Sequence, residues 1–288
     1  MSHPPPPPLR NAWNVALDVV REALARRTVL GILAALGLGQ VGLALALDLD
    51  VVEGAIVSSE LLGDAIGLAK RGGGARDQLR PVFEFMAHAV FHLGMIFGIV
   101  ATSDIASRAL SPGRVELLLS LPVRRIELVL GTYLGVGLVA LGGTLFAVGG
   151  FSAVLLWKVG VATPAPLLGA VAAAYGFAAV YAAMLLATTL ARSPALAAGI
   201  GMLLYIVASA TSRREAVLSW FERGWPRDVA AVVLAPLPRL LGVSRLGADF
   251  AGGNEIPWHE ASIALGTTGL FAAAALAAAA WVVQGRDW

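Results

Sequence analysis

The sequence predicts an all-α, polytopic membrane protein with six transmembrane helices, and three observations lead there. Of 288 residues, 58% are hydrophobic and only 14% charged, whereas soluble domains carry about 25% charged residues. Mean hydropathy is +0.77. Six uncharged runs, Thr28–Leu47, Phe85–Ser103, Leu128–Trp157, Val159–Ala191, Ser193–Ser212 and Ala261–Gly285, each have the roughly 20 residues that a helix needs to cross a bilayer. The formal charge of +2 supplies no basic face for nucleic acid. The chain has no cysteine, which excludes disulfides, thiolate metal sites and a cysteine nucleophile.

Residues 1–10 read as a disordered, proline-rich tail and residues 11–288 as one six-helix domain. No cleavable signal is expected, because the first apolar run begins beyond Arg27 and has no convincing cleavage site. Asn11–Arg27 reads as an amphipathic helix. Trp13, Ala16, Leu17, Val20 and Leu24 share one face, and Arg10, Asn14, Asp18 and Arg21 take the other. Such a helix suits the membrane–water interface or extends the first span. The third and fourth runs exceed one crossing, so their ends reach the interfaces or the helices tilt. Pro164 and Pro166 place the start of the fourth span near Leu167.

Six spans put both termini on one side. Total Lys and Arg nearly balance between the two sides, so juxtamembrane charge has to decide. Arg26 and Arg27 abut the first span, Arg124 and Arg125 the third, and Arg192 sits in a very short turn. These place the termini inside. The two outer loops, about 48–81 and 213–260, are long. The second contains Val229–Val243, broken by Pro236 and Pro238. It reads either as two short re-entrant or interfacial helices, allowed at membrane depth where protein or water satisfies the backbone, or as a packed loop. Gly131-x-x-x-Gly135 is a small-residue pattern that lets helices approach closely.

Between the second and third spans, Ser103–Gly135 carries Arg108, Arg114, Arg124 and Arg125 around the short apolar run Val115–Leu121. Ser111-Pro112 before the run is an N-cap with proline at the first helical position. Pro122 stops it by removing a donor and restricting Leu121. The stretch reads as a short interfacial helix that presents a surface, against the alternative of an inert basic loop on anionic lipid.

Glu84, His88 and His92 recur at i, i+4 and i+8 at the start of the second span, with Met95 near the same face. Ionisable groups inside a membrane helix usually face a bundle interior or a wet cavity, and two histidines one turn apart can share a divalent metal. The competing readings are a polar interfacial face and a proton-responsive or pathway-lining pair. Glu255, Trp258, His259 and Glu260 read as an interface anchor. Neither H-E-x-x-H nor G-x-S-x-G is present, so intramembrane hydrolase chemistry lacks support.

The segment GRVELLLSLPVRRIELVLGTYLG, Gly113 to Gly135, resembles the cytoplasmic loop of type-2 ABC-transporter permeases. The matching positions are Gly113, Leu118, Leu119, Ser120, Pro122, Val123, Arg125 and Gly131. Three positions depart from the pattern. Ser111-Pro112 stands where an acidic residue usually precedes the glycine, Arg114 replaces a threonine, and Thr132 replaces a lysine. VVREALARRTVLGIL (Val19–Leu33), TTLARSPALAAGIGMLLY (Thr188–Tyr205) and the terminal GRDW are similar to other stretches of that family. The run LLGDAIGL ending at Leu68 is similar to an element of the subgroup linked to multicopper-enzyme maturation.

The resemblance implies a permease subunit of an exporter in the bacterial plasma (inner) membrane, with both termini cytoplasmic. A separate ABC ATPase subunit would dock on Arg114, Val115, Glu116, Leu118, Leu119, Pro122, Arg124 and Arg125. Two permeases, identical or different, would pair with two ATPases. The chain has no G-x-x-x-x-G-K-[ST] loop, so it is not expected to be an enzyme or to hold a cofactor, and ATP and Mg belong to the ATPase. An alternative implied role is a force-transmitting subunit that uses the same ATPase to act on an extracytoplasmic partner protein. The substrate is not legible: the scarcity of ionisable groups in the spans fits an apolar or lipid-like cargo and equally a force transmitter with no cargo path, while the subgroup resemblance implies copper or a sulfur species.

Overall fold

The computed structural model describes residues 8–52, 55–61, 64–65, 74–109, 124–161, 163–211, 218–219 and 224–285. The chain opens with α1 (Pro8–Leu24) and α2 (Arg27–Ala46). A small antiparallel sheet follows, formed by β1 (Leu47–Val52), β2 (Ala55–Leu61) and β3 (Asp64–Ala65) in that order. Then come α3 (Ala75–Ala109), α4 (Arg125–Val159), α5 (Ala165–Ala191), α6 (Pro194–Thr211), α7 (Trp225–Leu234), α8 (Leu240–Gly252) and α9 (Trp258–Gln284).

The body is the expected all-α polytopic architecture. Helices α2, α3, α4, α5 and α9 are long and apolar enough to cross a membrane. The 18-residue α6 is about 27 Å long, against a hydrocarbon core of about 30 Å, and we read it as the sixth span. At 35 residues each, α3 and α4 are about 52 Å long and overrun that thickness.

Three boundaries differ from the sequence reading. Proline suits the first turn of a helix, so α1 begins at Pro8, inside the segment expected to be a disordered tail. It ends at Leu24 because Arg26 is extended (φ −81°, ψ 134°) and starts α2 as its N-cap. The loop expected over 48–81 holds the sheet and the opening turns of α3, which runs through Pro81. Leu47, Leu49 and Val51 alternate with Asp48 and Asp50, the period of a strand, and β1 pairs Leu47 with Leu61 and Leu49 with Ser59. Of the two readings of Val229–Val243, two short helices or a packed loop, the structure has the two helices. Pro236 and Pro238 fall between α7 and α8, so the interruption separates two helices.

α5 is the central element and packs on α3, α4, α6, α8 and α9. Its abundance of alanine and glycine makes this possible, since small side chains admit neighbouring backbones on every side. A Cβ on Gly169 would meet the Gly247 carbonyl oxygen of α8 at 2.9 Å, and one on Gly176 would meet Phe91 of α3 at 2.8 Å. The main core gathers around Phe91, Met95, Ile99, Phe177, Tyr181, Met184 and Leu185. At the C-terminus of α5, Arg192 takes a left-handed conformation (φ 50°) and its N–H donates to the Thr188 carbonyl at 2.8 Å. Pro194 then opens α6, so the turn is as short as expected.

α7 and α8 differ in environment. α7 exposes Trp225, Val229 and Val232. α8 buries Leu240, Val243, Ser244, Leu246, Gly247, Ala248 and Ala251 against the bundle. A Cβ on Gly242 would lie 2.8 Å from the Ala264 Cβ of α9, so α8 is wedged between α5, α3 and α9.

Candidate functional site

Two zones carry the chemistry. The first is where α3 ends and α4 begins. Of the residues assigned to ATPase contact, Arg114, Val115, Glu116, Leu118, Leu119 and Pro122 lie outside the described residues, as does the short helix expected there; Arg124 and Arg125 are described.

Arg124 is the N-cap of α4. Its backbone N–H donates to Glu127 Oε2 at 2.7 Å, closing the reciprocal half of a capping arrangement. Glu127 is buried and sits in the first turn, where the helix dipole favours a carboxylate. The same Oε2 accepts from Asn11 Nδ2 of α1 at 3.3 Å. Arg125 Nη1 donates to the Gln284 carbonyl at the end of α9 at 3.1 Å. The start of α4 therefore meets both the first and the last helix of the chain, which places the two ends of the fold on one side.

Along α1, the docked stripe is not the large apolar one. Ala12, Ala16, Val19 and Ala23 are buried, while Trp13 and Leu24 stay exposed. A Cβ on Gly131 would meet Val15 Cβ at 2.5 Å and the Ala12 carbonyl oxygen at 2.7 Å. One on Gly135 would meet the Ala16 carbonyl oxygen and Val19 Cβ, each at 2.7 Å. The Gly131-x-x-x-Gly135 pattern is thus the seat of α1 on α4.

The other end of α1 holds an ion cluster. Arg26 Nη2 pairs with Glu22 at 2.7 Å, and Arg26 Nη1 donates to Asp104 near the end of α3. Arg108 Nε reaches the second Asp104 oxygen at 3.0 Å. The Arg26 side chain is only 13% exposed. Sequence reading singled out Arg26 for its position before a span and Arg108 as part of the basic stretch, but not Glu22, Asp104, Glu127 or Asn11. The glutamate three residues after the Arg124 N-cap is a signal that was available for Glu127.

The second zone is the polar face of α3 inside the bundle. Glu84, His88 and His92 do lie on one face, but each is taken by a different partner. Glu84 Oε1 accepts from Asn254 Nδ2 at 2.9 Å. His88 Nδ1 pairs with Ser244 Oγ of α8 at 2.9 Å, and His92 Nδ1 with the Tyr205 hydroxyl of α6 at 2.7 Å. The imidazoles stack with centroids 6.3 Å apart. Among the described residues, no three His, Asp or Glu side chains converge as a metal centre. What the row does is tie α3 to α8 and α6 by hydrogen bonds within an apolar surround. Met95, the fourth residue on this face, is buried in the core beside Gly176.

A family model described as ABC-2 family transporter protein matches residues 13–212, from within α1 to just past α6. The chain belongs to the ABC-2 transporter family. No curated protein matches it significantly. As an ABC-2 permease it is a multi-pass membrane protein, and permeases of this family work with an ATPase subunit and dimerise. The matched region takes in both zones apart from the partners that α8, Asn254 and α9 supply.

Proposed function

We propose that this ABC-2 permease is the membrane subunit of a bacterial inner-membrane exporter driven by a separate ATPase. The observation that carries the reading is the convergence on one side of α1, the end of α3, the start of α4 and the end of α9, around the segment that resembles the family's docking loop. That side is read as cytoplasmic. Val115, Leu118, Leu119 and Leu121 would fill an apolar groove on the ATPase, and Arg114, Arg124 and Arg125 would frame it with charge. Two copies with two ATPases make the transporter, the closed two-fold assembly being the general default. ATP and Mg are held by the ATPase. The cargo is apolar or lipid-like, in keeping with spans that hold few ionisable groups, of which His88 and His92 are already hydrogen-bonded to other helices.

The test is co-purification of the tagged chain with its ATPase, wild type against Leu118→Glu/Leu119→Glu. Forcing unpaired carboxylates into an apolar groove costs several kcal/mol. The expected result is an ATPase retained by wild type and lost by the variant, with both inserted in the membrane. Wild type that retains no ATPase refutes the reading.

A further inference from the structure

We propose that Arg26 is a positioning residue for ATPase coupling, clamping α1 as a brace across both ends of the docking segment. The inference rests on the docking role proposed above. The segment leaves α3 after Ala109 and rejoins the fold at Arg124. At the rejoining end, Asn11 near the start of α1 holds Glu127, which in turn holds the Arg124 N–H. At the departing end, the last turn of α1 supplies Glu22, and Arg26 bridges Glu22 to Asp104 on α3. Asn11 and Glu22 are about 16 Å apart along a helix, so one rigid rod touches both anchor points. The rod is seated on α4 at Gly131 and Gly135, whose missing side chains leave room for the Ala12 and Ala16 carbonyls and the Val15 and Val19 side chains of α1.

The clamp uses what arginine offers and lysine lacks. Two edges of one planar guanidinium reach two carboxylates on different helices, and the geometry is fixed by the fork rather than by a flexible stem. The residue lies at the α1–α2 break, in extended conformation, so its side chain is not committed to either helix face. With both ends of the docking segment tied to one rod, a push from the ATPase moves α3 and α4 together instead of being absorbed by a loosened α3 terminus. Without Arg26, the α3 end is released, because the ion pair Asp104 retains with the exposed Arg108 lies within α3 itself and ties it to no other helix.

The experiment uses the full-length chain co-purified with its ATPase, reconstituted in lipid nanodiscs, with steady-state ATP hydrolysis as readout. Arg26→Ala is expected to lower kcat roughly tenfold while the KM for ATP and the amount of bound ATPase stay near wild type, because the nucleotide site itself is untouched. Arg26→Ala/Asp104→Ala should fall no further than Arg26→Ala alone, the signature of residues acting as a unit. Arg26→Lys, which keeps the charge but engages one carboxylate, should give an intermediate kcat. If Arg26→Ala does not assemble, Arg26→Lys decides, and wild-type kcat there overturns the proposal. Wild-type kcat in Arg26→Ala, with ATPase bound, overturns the brace while leaving the docking reading intact. Absence of ATPase from the wild-type preparation overturns both.

Discussion

Replacing Gly131 and Gly135 together by alanine should lift α1 off the bundle. The new methyl groups would sit 2.5–2.7 Å from Val15 Cβ, Val19 Cβ and the Ala12 and Ala16 carbonyl oxygens, whereas carbon–carbon contact is optimal at about 3.5–4.0 Å. α1 therefore has to retreat by about 1 Å, and no rotamer change relieves the clash with the two backbone oxygens. Overpacking of this kind costs about 1–3 kcal/mol per site, and each such step changes the docked-to-undocked ratio about 5- to 150-fold. Limited trypsin digestion in detergent or nanodiscs reads that ratio, since proteolysis follows the open population when reclosing is fast. Cleavage at Arg21, Arg26 and Arg27 should accelerate by at least about fivefold. Gly137→Ala and Gly142→Ala are the controls, because a Cβ at either position meets nothing within 4 Å. Equal cleavage rates in the double variant and the controls would refute the close α1–α4 seat.

Two further outcomes are expected from contacts inside the spans. In α2, Gln40 Nε2 donates to the Phe146 and Ala147 carbonyls of α4 at 3.1 and 3.3 Å, and a Cβ on Gly150 would overlap the Gln40 amide at 2.1 Å. Gln40→Ala and Gly150→Ala should each cost about 0.5–2 kcal/mol, but the double variant should be no less stable than either alone, as measured by thermal unfolding in detergent. For the α3 row, titration with Zn²⁺ should give the same affinity for wild type and His88→Ala/His92→Ala. Glu84 is turned to Asn254 and the two imidazoles reach different helices. A lower affinity in the variant would reinstate a metal centre.

Much of the site was legible as position but not as partnership. The spacing of Glu84, His88 and His92 correctly predicted one face of one helix. Their partners Asn254, Ser244 and Tyr205 come from elements more than a hundred residues away, and no local pattern encodes that. The amphipathic reading of α1 found the stripe of Trp13, Ala16, Leu17, Val20 and Leu24, of which Ala16 alone is also in the buried stripe, because hydropathy weights large side chains. The stripe that docks is Ala12, Ala16, Val19 and Ala23, because membrane helices associate through close backbone approach rather than through apolar area. The sheet after α2 went unread for the opposite reason. Its alternation is short, and acidic residues next to a long apolar run look like a loop.

The sequence by itself determined the class and the apolar runs that become the long helices, since the cost of moving a residue into hydrocarbon is a local property; five of the six runs are helices long and apolar enough to cross. It also singled out the glycines at 131 and 135 and Arg26, while Glu22, Asp104 and Glu127 stood in it unremarked. Only the tertiary structure decided which of them meet. The glycines seat α1, the charges pin its two ends to α3 and α4, and α8 is buried rather than looped. Each of these depends on distance in space between residues far apart in the chain, and packing of the whole bundle sets that distance.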